Sequence, residues 1–400
     1  MEFSELATDE GRRALAAAGA LGDADPLAAA SALRTQGFPP ALAASALTQV
    51  ALRRKGALKF GTDAGSMFFT RAGLEQATRG VVARRRASRL VAAGATRVAD
   101  LGCGIGADTI AFARAGLSVH AVDASEETAA VAAANVQALK LDPLVLVQAH
   151  DATTLDLSGV DAVFCDPARR TSGGRRVFDP RAYSPPWDFV TALPGRVPLT
   201  VLKLAPGIDH DLLPSGAEGE WVSVDGDLVE AAAWCGPLAS VPRRATLLRG
   251  DSVFSLTGTG VEAAAFGGGN VRKYLHDPDN AVVRAHLVAE FAAQVDGELL
   301  DPTIAYVTTD LDMSSHFAKR YEILARLPIA LKRLRAALRA EDVGALQILK
   351  RGSAHDVEDL RRQLRLEGTR SLALTLTRIA GEPAALLLRA ADGPAAAAGR

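Results

Sequence analysis

Hydrophobic and polar positions change their spacing along this 400-residue chain. Up to about residue 90, short apolar segments follow a helical spacing and are interrupted by glycine and proline. Between residues 91 and 250, apolar runs of strand length first alternate with helical segments and later follow one another at hairpin spacing. Alternation of strands and helices is typical of a parallel sheet covered by helices. The pattern therefore predicts an N-terminal helical region at 1–90 and an α/β domain at 91–250.

The remaining sequence predicts a smaller α+β domain near the C-terminus. Residues 251–324 are interpreted as a connecting region. The domain itself is expected at 325–391, and its predicted elements are two helices followed by two strands, at 327–339, 357–366, 371–379 and 384–390. The tail at 392–400 is low in complexity and is expected to be disordered.

Composition is that of an ordinary globular protein and indicates neither a polycation nor a membrane protein. Hydrophobic residues make up 48% and charged residues 23%, with a formal net charge of -1. The first residues are acidic without a signal-peptide core, and no apolar stretch is long enough to span a membrane. Three scattered cysteines fit a reducing compartment, so we expect a cytoplasmic protein. The seven histidines are dispersed, and no metal site is predicted.

A glycine-rich turn is the most specific feature of the α/β domain. An apolar run leads to Asp100, and glycines then occupy every second position at Gly102, Gly104 and Gly106. A helical segment follows at once, at 107–115. Glycines allow a ligand to lie against the backbone, and a helix that begins at such a turn is typical of nucleotide sites. The motif therefore predicts a nucleotide-shaped site in which Asp100 accepts a hydrogen bond from the ligand.

The turn by itself does not identify the nucleotide. Gly102-x-Gly104-x-x-Ala107 also satisfies the fingerprint of NAD- and FAD-binding proteins. Carboxylates at the ends of the next three predicted strands are more informative, because an acid after the second strand suits ribose hydroxyls and one after the third suits an adenine amine. These residues are, in chain order, Asp123, Asp151 and Asp166 with Pro167.

The glycine turn and the three later acids together resemble class I S-adenosylmethionine-dependent methyltransferases. The resemblance implies a Rossmann-like, doubly wound sheet of seven mixed strands and S-adenosylmethionine as the cofactor. It also implies which residues hold that cofactor, namely Asp100, Gly102, Gly104 and Gly106 at its methionine and ribose side, Asp123 at the ribose and Asp151 at the adenine.

The acceptor of the methyl group is expected to meet Asp166 and Pro167, which are the predicted catalytic residues. Enzymes of this type that methylate exocyclic amines of bases usually have a second proline and then an aromatic residue that stacks on the base. Here Ala168 and Arg169 stand at those positions, which weakens an adenine N6 assignment. Arg169 and Arg170 are interpreted either as phosphate-binding residues or as part of a surface loop.

Two neighbouring features each have two explanations. Cys165 stands beside Asp166 and suggests a covalent cytosine C5 mechanism, but that mechanism places its cysteine in other motifs, and a small core residue is the better interpretation. Residues 68–78 precede the first strand of the sheet. They either fold over the methionine end of the cofactor or begin a helix that is capped by Thr70.

Three short segments, at 331–335, 349–352 and 374–378, characterise the C-terminal domain. They resemble the THUMP-like domain that is fused to uncharacterised bacterial methyltransferases, and the resemblance implies structured RNA as a partner. Residues 326–370 contain 11 lysines and arginines against 6 acidic residues, an excess that suits phosphate contact. The residues expected to bind RNA in this domain are Lys332, Arg333, Lys350 and Arg351.

Two classes of function remain open at this point. The first is a methyltransferase that acts on structured RNA, for example tRNA or rRNA. The second is a methyltransferase for a small molecule or a protein, or a protein that binds S-adenosylmethionine without an RNA substrate. Basic residues on a solvated helix face are common, so the charge of the C-terminal domain fits either class.

Overall fold

The computed structural model describes residues 3–22, 24–168, 183–261, 268–352 and 356–391. The predicted disordered tail at 392–400 lies outside these residues. Contacts along the chain divide it into two units. The first unit contains Met1–Ala205, Leu213–Ala217 and Ala232–Ala239. The second unit contains Pro206–Leu212, Glu218–Ala231 and Ser240–Arg400.

The described part of the first unit begins with six helices, in agreement with the predicted N-terminal helical region. They are α1 (Phe3–Leu6), α2 (Asp9–Ala20), α3 (Pro26–Thr35), α4 (Pro40–Phe60), α5 (Arg71–Gln76) and α6 (Gly80–Ala92). Side-chain oxygens of Thr8, Asp25 and Thr70 accept hydrogen bonds from first-turn N–H groups of α2, α3 and α5. Leucines and alanines of α1 to α4, including Leu33 and Leu42, form one buried cluster.

Parallel strands and helices alternate in the next part of the unit. The strands are β1 (Arg97–Leu101), β2 (Ser118–Asp123), β3 (Val145–Ala149), β4 (Ala162–Cys165) and β5 (Leu199–Leu204), and the helices are α7 (Ala107–Arg114), α8 (Glu126–Ala138) and α9 (Trp187–Arg196). β1 pairs with β2 and β4, so that Asp100 lies opposite Ala121 and Phe164. β3 pairs with β2 and β5 with β4, also in parallel. The carboxyl ends of these strands, and the acids that follow them, therefore lie at one edge of the sheet.

The sheet contains more strands than the seven that the resemblance implies. β6 (Glu218–Val224), β7 (Asp227–Trp234), β8 (Arg243–Arg249) and β9 (Ser252–Gly258) continue it, and the order among the described residues is β3-β2-β1-β4-β5-β7-β6-β8-β9. β6 and β7 are joined by Asp225 and Gly226, both with positive φ, as in a tight hairpin turn. β8 pairs in parallel with β6, and β9 is antiparallel to β8. The mixed α/β class is confirmed, but the described sheet has nine strands.

A second sheet lies in the second unit. Its described strands are β10 (Tyr274–Pro278), β11 (Glu298–Asp301), β12 (Ile304–Thr309), β13 (Ala318–Leu327), β14 (Val343–Lys350), β15 (Arg370–Ile379) and β16 (Glu382–Ala390), in the order β11-β12-β10-β13-β16-β15-β14. The helices of this part are α10 (Asn280–Arg284), α11 (Val288–Gln294), α12 (Leu331–Ala340) and α13 (Val357–Leu364). The hairpin of β15 and β16 agrees with the predicted strands at 371–379 and 384–390.

The region predicted to be a connection, 251–324, contains all of β9, β10, β11 and β12 and most of β13. Its expected boundary with the C-terminal domain falls inside β13. The basic helix expected at 327–339 begins only at Leu331, because residues 318–327 form β13, which pairs with β10 and β16. Tyr321 of β13 lies opposite Ala390, a partner far along the chain that no local pattern indicates.

Helices α12 and α13 cover one side of the second sheet with leucines. Leu334 and Leu338 of α12 and Leu360 and Leu364 of α13 are buried in one cluster with apolar residues of β15 and β16. Residues four apart lie on the same side of a helix, so these leucines form a single apolar stripe on each helix. Lys332 and Arg333 of α12 are exposed, whereas Arg335 and Arg339 donate hydrogen bonds to the end of α13.

Candidate active site

The glycine-rich turn joins the carboxyl end of β1 to α7. Gly102, Gly104 and Gly106 have φ of +84°, +58° and +89°, values that glycine adopts without steric cost. A Cβ at Gly102 would lie 2.7 Å from the carbonyl oxygen of Asp166, so a glycine is needed where the ends of β1 and β4 approach. At Gly104 a Cβ would meet no atom of the described residues within 4 Å. The turn thus presents backbone to open space at Gly104.

Asp100 lies directly before the turn and is fully buried. Its Oδ2 accepts a hydrogen bond from the Thr109 hydroxyl, whereas its Oδ1 has no hydrogen-bond partner among the described residues. Burial, reinforced by the charge of Asp108, raises the pKa of Asp100 to about 8. A buried carboxyl oxygen without a partner is costly, and a cationic or N–H group of a ligand would relieve that cost.

Asp123 at the end of β2 holds the glycine turn in place. Its Oδ2 accepts a hydrogen bond from the N–H of Gly104 at 3.1 Å, and its Oδ1 accepts one from the N–H of Ser125 at 3.0 Å. Burial raises the pKa of Asp123. Because a carboxylate accepts up to about four hydrogen bonds, these contacts leave acceptor capacity for ribose hydroxyls. Asp123 therefore has a structural role in the turn that the sequence analysis did not include.

Asp151 follows β3 and is exposed to solvent. Its Oδ1 accepts hydrogen bonds from the N–H of Thr153 at 2.9 Å and from the Thr153 hydroxyl at 2.8 Å, so it caps the short 3-10 helix Ala152–Thr154. These hydrogen bonds lower the pKa of Asp151. Its contact with adenine remains a prediction.

Asp166 and Pro167 follow β4 at the same edge of the sheet. The N–H of Asp166 donates to the carbonyl oxygen of Leu101 at 3.0 Å, which ties this segment to the end of β1. Asp166 and the glycine turn are thereby neighbours. Arg169 and Arg170, the predicted phosphate-binding pair after this motif, lie outside the described residues.

A lysine that the sequence analysis did not single out contacts Asp166. The Nζ of Lys203 lies 2.7 Å from Oδ2 of Asp166 and 2.9 Å from the hydroxyl oxygen of Thr78, and the lysine is 5% exposed. The Thr78 hydroxyl donates to Asp108, which forms a buried ion pair with Arg86. The signal in the sequence is one lysine inside the otherwise apolar and polar-uncharged strand β5. Its partners can be identified only from the fold.

Two amide side chains hold the segment that precedes α5. The Gln49 amide accepts from the N–H of Phe69 at 2.9 Å and donates to its carbonyl oxygen at 2.8 Å. The Asn135 amide bonds the N–H and the carbonyl oxygen of Phe68 in the same way, at 2.6 and 3.0 Å. Gln49 lies on α4 and Asn135 on α8, so side chains from two helices fix the backbone of this segment.

The same segment then reaches the glycine turn. Thr70 caps α5 by accepting a hydrogen bond from the N–H of Gly73 at 2.9 Å, as the helix-start interpretation predicts. A Cβ at Gly73 would collide with the side chain of Ile105, which lies within the glycine turn. The Asn135 amide also donates to the carbonyl oxygen of Ile105 at 2.9 Å. The segment is therefore both a capped helix start and a neighbour of the turn.

The basic residues predicted to contact RNA lie in the second unit. Lys332, Arg333 and Lys350 have exposed side chains. Arg351 is only partly exposed, because its Nε lies 2.8 Å from a carboxylate oxygen of Asp277 and a second nitrogen donates to a backbone carbonyl. Arg351 thus has an internal ion-pair role, and its contact with RNA remains a prediction.

Cys165 ends β4 and is fully buried, with no exposed surface. Burial raises the pKa of its thiol well above the ordinary value, which disfavours the thiolate that a nucleophile requires. The geometry agrees with the interpretation of Cys165 as a small core residue.

A second concave region lies away from the glycine turn and the acids. A cavity of about 440 Å³ is bordered by residues at the beginnings of β1, β2 and β3, including Arg97, Ser118 and Val145. It lies at the amino ends of the strands, opposite the edge that carries the acids. Among the described residues no group of histidines, cysteines and carboxylates is suited to a metal ion, and no helix is long and apolar enough to cross a membrane.

Comparison with known proteins identifies three parts of the sequence. Residues 98–171 match the family described as a methyltransferase domain, and residues 318–390 match the family described as THUMP domain-like. Residues 1–56 match a domain of unknown function.

The similarity extends over most of the chain. An uncharacterized S-adenosylmethionine-dependent methyltransferase from two strains of Mycobacterium tuberculosis is 37% identical over 344 residues, which cover 82% of this chain and 90% of that protein. A putative methyltransferase from Porphyromonas gingivalis has a crystal structure with a TM-score of 0.75 and 22% identity, covering 95% of this chain and 99% of its own, and it shows the same fold. This chain belongs to the S-adenosylmethionine-dependent methyltransferases and carries a C-terminal THUMP-like domain. Its cofactor is S-adenosylmethionine, so the NAD and FAD alternative is set aside.

The residues at the edge of the sheet fit this cofactor. The unpaired, buried Oδ1 of Asp100 suits a cationic ligand, and the space beside Gly104 is open. The residues predicted to hold it are Asp100, Gly102, Gly104, Gly106, Asp123 and Asp151. The cofactor supplies a methyl group on a cationic sulfur, and the protein's task is to align the acceptor and exclude water.

Proposed function

We propose that this enzyme methylates structured RNA, such as tRNA or rRNA, with Asp166 at the methyl acceptor and the THUMP-like domain as the RNA-binding part. The observation that carries the proposal is the match of residues 318–390 to the THUMP domain-like family, within which one helix is strongly basic. A basic helix with its apolar side buried suits contact with phosphate groups.

The charge of helix α12 supports phosphate binding. The helix contains four basic residues and no acidic residue. Arg335 and Arg339 donate hydrogen bonds to backbone carbonyls at the end of α13, whereas Lys332 and Arg333 are exposed in the first turn of α12. No side chain caps this first turn, so its backbone N–H groups add to the positive potential. Lys332 and Arg333 are therefore the first residues to test.

Filter binding of a tRNA-sized transcript at several salt concentrations tests the proposal. The logarithm of affinity should fall with the logarithm of salt concentration by somewhat less than one unit for each phosphate contact. The double variant Lys332→Ala/Arg333→Ala should bind more weakly and show a slope that is smaller by roughly one to two units. Its affinity for S-adenosylmethionine should equal that of the parent protein.

The double variant Arg361→Ala/Arg362→Ala is a matched control, since it removes the same charge from α13. These two arginines pair with Glu358 and Asp359 one turn away, so they contribute less to a phosphate-binding surface. Their removal should change the salt slope little. If both variants change RNA affinity equally, net charge and not α12 determines binding. If the parent protein binds no RNA, the acceptor is a small molecule or a protein.

A comparison of modified nucleosides identifies the product. RNA from a deletion strain should lack one methylated nucleoside that the parent strain contains, and expression of the parent gene should restore it. The Asp166→Asn variant should not restore it. Identical nucleoside profiles in the two strains would contradict an RNA substrate.

A further inference from the structure

Lys203 connects Asp166, which is proposed to contact the methyl acceptor, to the protein interior. Its Nζ lies 2.7 Å from Oδ2 of Asp166 and 2.9 Å from the hydroxyl oxygen of Thr78. Lys203 is 5% exposed and lies on β5, next to β4, the strand that Asp166 follows. Burial of an ammonium group is costly unless it is paired, so this buried lysine is stabilised by its carboxylate partner Asp166.

The direction of the hydrogen bonds follows from the donors available. A threonine hydroxyl has one hydrogen, and that of Thr78 is donated to Oδ2 of Asp108 at 2.6 Å. The hydroxyl oxygen of Thr78 must therefore accept a hydrogen bond from Lys203. Asp108 is held in turn by a buried ion pair with Arg86. Lys203 consequently donates both to a neutral oxygen inside the protein and to the Asp166 carboxylate.

The inner end of this series of hydrogen bonds is fixed to β4, the strand that precedes Asp166. The guanidinium of Arg86 lies over the ring of Phe164, 4.4 Å from its centroid, and Phe164 belongs to β4. Arg86 is 2% exposed and Asp108 is 5% exposed. Thr78 and Lys203 thus have little freedom to move, and Lys203 holds Oδ2 of Asp166 at a defined place.

Asp166, at the outer end of this series of hydrogen bonds, is accessible to solvent. The side chain of Asp166 is 26% exposed. Lys203 donates to Oδ2, and Oδ1 has acceptor capacity for a further donor. A carboxylate paired with an ammonium group accepts hydrogen bonds and has no proton to donate. The group that Oδ1 can meet is therefore a hydrogen-bond donor.

We propose that Lys203 is a positioning residue which fixes the Asp166 carboxylate so that Oδ1 accepts a hydrogen bond from an N–H or O–H group of the methyl acceptor. The inference rests on the role proposed for Asp166, and it restricts the acceptor to a nucleophile that still carries a hydrogen, such as an amine, an amide-type ring nitrogen or a hydroxyl. Thr78 acts through Lys203 and not on the acceptor.

Four variants of the full-length protein test this arrangement. Lys203→Met removes the ammonium group at similar length, and Asp166→Asn removes the paired charge. Thr78→Val removes the hydroxyl, whereas Thr78→Ser retains it as a conservative control. Each is assayed for transfer of a tritiated methyl group from S-adenosylmethionine to the RNA, protein and small-molecule fractions of a deletion strain, and for cofactor affinity by calorimetry.

The expected pattern separates positioning from cofactor binding. Lys203→Met should lower kcat on the order of 10²-fold, as expected for a misplaced acceptor, with an unchanged cofactor Kd. Thr78→Val should lower kcat less, and Thr78→Ser should restore it. The double variant Lys203→Met/Asp166→Asn should be no slower than Asp166→Asn alone, because residues that act as a unit are not additive. Multiplicative losses in the double variant would overturn the inference.

Unfolding in urea gives a second readout that needs no acceptor. The shifts of the unfolding midpoint caused by Lys203→Met and Asp166→Asn should not add in the double variant, because each single substitution already removes the same ion pair. Additive shifts would contradict the ion pair itself. Label in the protein or small-molecule fraction would contradict the RNA proposal, and the kcat comparison would then be made on that fraction.

Discussion

Gly104 provides a direct test of the cofactor site. Gly104→Ala adds one methyl group at a position where φ is +58° and where a Cβ would meet no described atom within 4 Å. The left-handed conformation costs a residue with a Cβ about 1–2 kcal/mol, and no described neighbour opposes the new group. The variant should therefore fold, with a free energy of unfolding that is lower by about that amount. Its new methyl group should stand where the ligand lies against the backbone.

Gly116→Ala is the matched control for this variant. Gly116 follows α7 with φ of +89°, and a Cβ there would also meet no described atom within 4 Å. It precedes β2 and so lies at the amino ends of the strands, away from the acids. Both variants should lose similar stability in urea unfolding. Only Gly104→Ala should bind S-adenosylmethionine more weakly, by at least about tenfold in Kd, which corresponds to about 1.4 kcal/mol.

Calorimetry with S-adenosylmethionine and with its demethylated product measures the difference. Equal affinities of the Gly104→Ala and Gly116→Ala variants would refute the placement of the cofactor at Gly104. Gly102→Ala adds a further comparison, because its Cβ would lie 2.7 Å from the Asp166 carbonyl oxygen. That variant should be destabilised more than either of the others, since the ends of β1 and β4 must move apart to accommodate it.

Two further predictions concern the carboxylates of the site. Asp123→Ala should raise the Kd for S-adenosylmethionine roughly thirtyfold, about 2 kcal/mol, because ribose hydroxyls lose their acceptor and the N–H of Gly104 loses its partner; an unchanged Kd in calorimetry would contradict the ribose role. Asp100 has a folded-state pKa raised to about 8 from an ordinary value of 3.8, so between these values the unfolded chain loses a proton that the folded protein retains. Stability should therefore fall as pH rises from about 4 to about 8, with a contribution from Asp100 of up to about 1.4 kcal/mol per pH unit, and should show no further loss from this group above that window. Urea unfolding at pH 5 to 8 should show a shallower decline for Asp100→Asn; parallel curves for the variant and the parent protein would mean that Asp100 is ionised when folded.

Local patterns in the sequence were sufficient to predict the glycine turn and the edge of the sheet at which the site lies. A left-handed φ at Gly102, Gly104 and Gly106 is a local requirement that glycine meets. Parallel strands place their carboxyl ends together, so Asp123 and Asp166 could be expected at the same edge of the sheet as the turn from chain order alone. The hairpin of β15 and β16 was likewise predictable, because two strand-length apolar runs flank a short turn.

Contacts between distant parts of the chain were decided only by the tertiary structure. β13 was not predicted because its partners, β10 and β16, are separated from it along the chain. The sequence pattern shows that Lys203 stands in a mostly apolar strand, but not that it meets Asp166 and Thr78. Burying a lysine requires a partner, and the fold alone determines which carboxylate is near enough to pair with it. In the same way, the sequence predicted Arg351 as an RNA-binding cation, and only the fold shows that it forms an ion pair with Asp277.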